Sequence, residues 1–216
     1  MKLCTITGSR AEFFLLKNLI TKLTYDKKIK NDLLVTGSHN SAFFGNTIKD
    51  IRKSNFRIKA QIDLKIKKDK PSDISNYFSE GVKKFSYYLN KIKPDLILIL
   101  GDRYEIFSAA IAAHILRIPI AHIYGGETTQ GAIDEGIRHS ITKLSHIHFV
   151  STNKYFSRVK QLGENPKMIF NVGSLGVEAL KKNKTISKKN LEKKLGIKFR
   201  KKNVLITFHS ETIHGE

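Results

Sequence analysis

Cysteine is almost missing from this chain. Cys4 is the only one, so no internal disulfide can form. A lone thiol inside an apolar stretch reads as a small core residue, and such cysteine usage leads to the expectation of a cytoplasmic location. Long apolar runs are missing too: nothing reaches the 18 residues of a membrane span, so no membrane partner is expected. The opening MKLCTIT passes directly into a glycine turn, without the apolar region and cleavage site of a signal peptide. The eight histidines show no HxxxH, HExxH or Cys/His spacing, and no metal site is expected. There is no Walker A loop, no GxGxxG and no Gly-x-Ser-x-Gly elbow, which removes the usual ATPase, dinucleotide and serine-hydrolase readings.

Acidic residues are scarce, 19 against 39 Lys and Arg, and such a balance can mark a nucleic-acid surface. The distribution argues otherwise. Residues 151–216 hold 15 basic and 5 acidic residues, whereas residues 95–150 hold 4 and 6. The lysines are dispersed, rarely interleaved with aromatics, and fit solvated helix faces, so no nucleic-acid partner is expected.

What is present is a rhythm of short apolar runs and helix-length intervals. Strand candidates are Leu3–Thr7, Leu33–Thr36, Leu96–Leu100, Ile118–Ile123, Ile147–Val150, Ile169–Val172 and Val204–Phe208, with a further one near Ile58–Leu64. They are near-continuously apolar rather than alternating, as in parallel strands buried on both faces. Helical stretches are expected at about 11–24, 40–54, 73–92, 103–116, 133–144, 152–162 and 174–182. Together these predict an α/β fold, a doubly wound parallel sheet with right-handed crossovers. The expected organisation is a Rossmann-like domain over residues 1–173 and connecting helices over 174–202. Residues 203–216 read as the first strand of a second domain, and a single strand forms no sheet alone.

Ligands of such sheets bind beyond the carboxyl ends of the strands. Nearly every strand end here carries glycine and an ionisable residue: Gly8-Ser9-Arg10-Ala11-Glu12, Gly37-Ser38-His39, Gly101-Asp102-Arg103, Gly125-Gly126-Glu127 and, after Phe208, His209. The first turn leads into a helix whose free N–H groups favour an anion, with Arg10 as a second donor or as a plain surface ion pair. Asp102 follows an apolar strand and suits either proton transfer or the capping of a helix starting at Arg103. Asp134 and Glu135 open a helix, each with an i,i+4 partner, Arg138 and His139. That is either an ordinary salt-bridged helix start or part of a carboxylate set for acid/base work. His114, His146 and His148 lie in apolar patterns and read as structural.

Taken together, GSRAEF, TGSH with FGNTIKDI, KPDLILILGDRYEIFSAAIAA, IPIAHIYGGETTQGAIDEGIRHSITKLSHIHFVST, FNVGSLG and TFH resemble the UDP-N-acetylglucosamine 2-epimerases. The similarity is strongest to the hydrolysing branch used in making sialic and legionaminic acids. It implies the first half of a GT-B-like pair of Rossmann-like domains and a UDP-sugar substrate. It also implies no nicotinamide or metal cofactor, and a homo-oligomer in the full-length form. The implied chemistry removes the proton at sugar C2 as UDP leaves C1, and water then adds to the 2-acetamidoglucal. The resemblance casts Asp102, Glu127, Asp134, Glu135 and His209 as catalytic, and Arg10, Glu12, His39, Arg103 and Arg138 as substrate-binding. Three positions depart from the pattern: Tyr124 where many relatives carry a glutamate, Phe14 where glycine is common, and Ser210 where proline often follows TFH. A non-hydrolysing epimerase and a non-catalytic binding domain are the competing readings.

Overall fold

The computed structural model describes residues 1–41, 44–66, 70–182 and 185–208. Seven strands alternate with helices in chain order. β1 (Lys2–Thr7), α1 (Arg10–Tyr25), β2 (Lys30–Val35), α2 (Ile48–Arg52) and β3 (Ile58–Gln61) come first. Then follow α3 (Pro71–Ile92), β4 (Leu96–Leu100), α4 (Tyr104–Ile115), β5 (Ile120–Ile123), α5 (Asp134–Leu144) and β6 (Ile147–Val150). The chain continues through α6 (Asn153–Gln161), β7 (Ile169–Asn171), α7 (Leu175–Lys182) and α8 (Lys188–Leu195). All pairings are parallel, in the order β3-β2-β1-β4-β5-β6-β7. This is a doubly wound, Rossmann-like sheet, and its strand order reverses between β1 and β4.

The continuous apolar runs are explained by burial on both faces. In LILIL, Ile97 and Ile99 face one core with Phe85, Leu89, Ile106 and Ala113 of α3 and α4. Leu98 and Leu100 face the other with Leu16 and Ile20 of α1. Cys4 is wholly buried in the first core, as its apolar setting predicts. Among the described residues no helix is long and apolar enough to cross a membrane.

Two expectations change. The helix anticipated over 40–54 becomes a 3-10 turn at Gly37–Asn40 and the short α2, because Gly45 (φ 84°) and Asn46 (φ 49°) leave the right-handed helical region. Val204–Phe208, anticipated as a strand, forms none: Val204, Leu205, Ile206 and Phe208 are 84–94% exposed and join neither edge of the sheet. A strand without a neighbour has no partner for its backbone groups. Residues 174–202 also divide. Leu175 packs into the second core and Ala179 is buried, whereas α8 buries nothing.

Candidate active site at the carboxyl edge of the sheet

The reversal between β1 and β4 brings the turns after β1, β2, β4 and β5 to one edge of the sheet. The first turn is a capped helix start. Ser9 Oγ accepts from the Glu12 backbone N–H at 3.3 Å, and Glu12 Oε2 accepts from the Gly8 N–H at 2.7 Å. This is close to a capping box, drawn inwards so that Glu12 is only 5% exposed. Arg10, the first residue of α1, is exposed, and among the described residues it has no ion-pair partner, so the surface salt bridge is not formed.

Beside Glu12 lies a second buried carboxylate, Glu105, in the first turn of α4. Its Oε1 accepts from Arg103 Nε at 2.6 Å, and Glu12 Oε1 stands 4.0 Å from the same nitrogen. Two acids share one arginine in a dry place. Burial first, and the Glu105 charge second, push the Glu12 carboxyl up to about 8. Burial also raises Glu105. The turns fit closely around this pair. A Cβ on Gly37, whose φ is 59°, would stand 2.4 Å from the Gly8 carbonyl oxygen and 2.5 Å from Glu105 Oε1.

A second ionic group forms around Arg138 of α5. Its Nη2 bonds Asp102 Oδ2 and also donates to Thr129 Oγ1 at 3.0 Å. Its Nη1 donates to the Glu127 carbonyl at 2.9 Å. Asp102 therefore caps no helix; it is the partner of Arg138, whereas Asp134, expected to be that partner, stands nearby without a bond to it. Burial, and next the Asp102 charge, raise the Asp134 carboxyl above its ordinary range. Glu135 lies 3.7 Å from His139, as the spacing predicts, and accepts from the Thr129 N–H at 2.8 Å. Glu127 Oε1 accepts from Ser151 Oγ at 2.6 Å.

The structure thus gathers Asp102, Glu127, Asp134, Glu135 and Arg138 around one loop, and places Glu12 and Arg103 against the neighbouring turn. His39 is not open to a ligand. It is fully buried, with Nε2 3.1 Å from Thr7 Oγ1 and Nδ1 2.7 Å from Thr47 Oγ1, and burial pushes its pKa down to about 4. The anticipated substrate contact is a neutral structural pin. His209 lies outside the described residues. Of the histidines read as structural, His148 is buried against Glu164 at 3.2 Å and His146, though exposed, accepts from the Ile120 N–H at 3.3 Å, whereas His114 is exposed.

Sequence reasoning passed over Glu105 and His122, and noted Tyr124 only as a departure from the family pattern. The signal for Glu105 was an acid in the first turn of an otherwise apolar helix. His122 is fully buried and held neutral by burial, its pKa pushed down to about 4, so its Nε2–H donates to the Gly101 carbonyl at 2.8 Å, one residue from Asp102. Tyr124 follows β5 at φ 69°, and its hydroxyl accepts from the Leu175 N–H at 2.8 Å, tying the end of β5 to the start of α7.

A parallel sheet with charged side chains along its carboxyl edge and a switch point between β1 and β4 defines a Rossmann-like domain. A crystal structure of UDP-GlcNAc 2-epimerase from Neisseria meningitidis bound to UDP-GlcNAc shares this fold with a TM-score of 0.73. Identity is 23%, and the match covers 84% of this chain and 49% of that one. A family model described as UDP-N-acetylglucosamine 2-epimerase matches residues 21–216, and the chain belongs to that family. The chain is 42% identical over 99% of its length to the GDP/UDP-N,N'-diacetylbacillosamine 2-epimerase (hydrolyzing) of Campylobacter jejuni, covering 55% of that protein. It is also 42% identical over 98% of its length to the polysialic acid biosynthesis protein P7 of Escherichia coli, covering 54%. The chain spans about half the length of the curated relatives it matches.

Proposed function

We propose that the protein to which this chain belongs is a hydrolysing nucleotide-sugar 2-epimerase acting on a UDP-linked 2-acetamido sugar. The observation that carries the reading is the convergence of Asp102 and Asp134 with Arg138 at the carboxyl edge of β4 and β5. Two carboxyl groups whose surroundings differ in this way suit the two proton transfers of an epimerisation. Asp102, ion-paired with Arg138, serves as the base at C2. The C2–H electrons form the C1–C2 double bond, the C1–O bond breaks, and UDP departs with its electron pair. Asp134, whose carboxyl is raised by burial, returns a proton to C2 from the opposite face while water oxygen bonds to C1. The water O–H proton refills Asp134, and Asp102 releases its proton to solvent. The sum is UDP-sugar plus water giving UDP and the free 2-epimer. His209 assists the departure of UDP, and Arg10 and Arg103 hold its diphosphate.

The hydrolysing form is preferred over the non-hydrolysing one because the Campylobacter jejuni relative carries that name. That name and the E. coli one favour a diacetamido trideoxyhexose donor or UDP-N-acetylglucosamine on a route to a sialic- or legionaminic-type acid. A cytoplasmic, homo-oligomeric enzyme fits such a route. The test is incubation with each UDP-sugar, with detection of free sugar and UDP. A product that keeps its UDP would move the reading to the non-hydrolysing reaction. Nucleotide-sugar binding without any turnover by this chain or by a version of its relatives' length would leave a non-catalytic binding domain.

A further inference from the structure

Arg103 is assigned above to a diphosphate, and the geometry beneath it concerns a residue that none of the preceding assignments uses. Glu105 is 0% exposed, and the Arg103 side chain above it is 38% exposed. The 2.6 Å bond engages the Nε of the guanidinium, while the Cζ of Arg103 lies 5.6 Å from the centre of the Tyr104 ring. Held by Glu105 and beside Tyr104, the side chain still leaves 38% of its surface exposed. The same carboxylate closes the turns after β1 and β2. A Cβ on Gly8 would stand 2.7 Å from Glu105 Cγ and Oε1, and one on Gly37 would stand 2.5 Å from Oε1. Three strand ends are therefore built to the outline of one side chain. Glu105 Oε2 and Glu12 Oε1 are buried without a hydrogen-bond partner, so the carboxyl groups are not satisfied by packing alone.

We propose that Glu105 is a positioning residue. It orients Arg103, and with it the turns after β1 and β2, to receive the diphosphate of a nucleotide substrate. This rests on the epimerase reading only for the identity of the ligand. A proton on Glu12, which burial and Glu105 favour, keeps the buried pair from cancelling the arginine twice over. A fixed guanidinium loses less freedom on binding an anion than a mobile one.

The test uses inorganic pyrophosphate, with side-chain NMR of Arg103 Nε–H, on the wild type, E105Q, R103K and the double variant. The wild type is expected to show Arg103 Nε–H shifted downfield and slow to exchange, and to bind pyrophosphate. E105Q, which keeps the shape of the side chain, should move that resonance upfield and weaken pyrophosphate about tenfold, with the melting temperature little changed. In the R103K background the same substitution should have no further effect, because its influence runs through the arginine. A tenfold loss that persists in R103K would show a merely structural role and overturn the proposal. So would unchanged affinity in a folded E105Q, or a wild type that does not bind pyrophosphate. Turnover of UDP-N-acetylglucosamine, measured in parallel, separates the two ideas. Turnover with E105Q binding as tightly as the wild type sinks the positioning role alone. The Glu105 dependence without turnover in a version of relatives' length sinks the epimerase reading alone.

Discussion

The two arginines at the sheet edge are arranged in opposite senses. At Arg103 the acid, Glu105, is wholly buried, and the cation is 38% exposed. At Arg138 the cation is buried, with 8% of its side chain exposed, and the acid, Asp102, is 21% exposed. Each pair thus leaves one charge more open to solvent and holds the other within. The outward cation suits recognition of an anion, and the outward carboxylate suits movement of a proton. Two salt bridges of the same residue types can therefore divide binding from chemistry by which partner faces water.

The division predicts unlike consequences for unlike substitutions. D102N keeps a hydrogen-bonding side chain against Arg138 but removes the base, so turnover should fall by roughly 10²–10⁴ with little change in thermal stability. An active D102N enzyme would end the assignment of proton transfer to that pair. R138M leaves Asp102 facing a hydrophobic neighbour and strands the Glu127 carbonyl. The expected cost is about 3–5 kcal/mol of folding stability in denaturant melts. R103M should cost less than half as much, because Glu105 can take up a proton when its partner goes. Equal losses in the two variants would erase the contrast.

G37A probes the packing of the Arg103 side without touching any charge. An alanine at φ 59° is strained, and its Cβ would meet the Gly8 carbonyl at 2.4 Å. A loss of about 2 kcal/mol is expected, read as a lowered denaturant midpoint at unchanged slope. A neutral G37A would mean that the turns after β1 and β2 can separate freely.

Much of this arrangement was legible in advance. The apolar strands announced a sheet buried on both faces, and the rule that ligands gather at the carboxyl ends pointed to Asp102, Arg103 and Glu127. The acidic pair Asp134 and Glu135 was visible at its helix start. Pairing across the sheet was not legible, because it depends on which strands become neighbours. The sequence spacing ties Asp134 to Arg138 four residues on, yet β4 delivers Asp102 to that arginine from 36 residues away. His39 misled for a related reason. A histidine after a strand end looks available, but Thr7 and Thr47, which occupy both its nitrogens, come from β1 and from the residue before α2. Glu105 escaped notice because an acid in the first turn of a helix has an ordinary explanation in the helix dipole. Only the glycines packed against it show otherwise.

The last effect is the one that separates the two sides by pH. Glu12 has an ordinary value of 4.5 and is pushed up to about 8 in the folded chain, by burial and then by Glu105. Between those values the folded state binds more protons than the unfolded one, so this group's contribution to stability falls as pH rises. The contribution is complete below about 4.5, and it is lost as pH passes through about 8. The slope is at most about 1.4 kcal/mol per pH unit. E12Q, neutral at every pH, lacks it. Denaturant melts at pH 5.5 and 7.5 should therefore show E12Q gaining on the wild type by roughly 1–3 kcal/mol as pH rises. Comparing the two proteins at each pH cancels the other titrating groups, including His39 and His122, whose lowered values give the opposite slope. S151A, which touches only the Glu127 carboxylate on the Arg138 side, should follow the wild-type pH profile. If E12Q follows it as well, Glu12 carries no proton in the folded chain, and any proton shared by the two acids beneath Arg103 sits on Glu105.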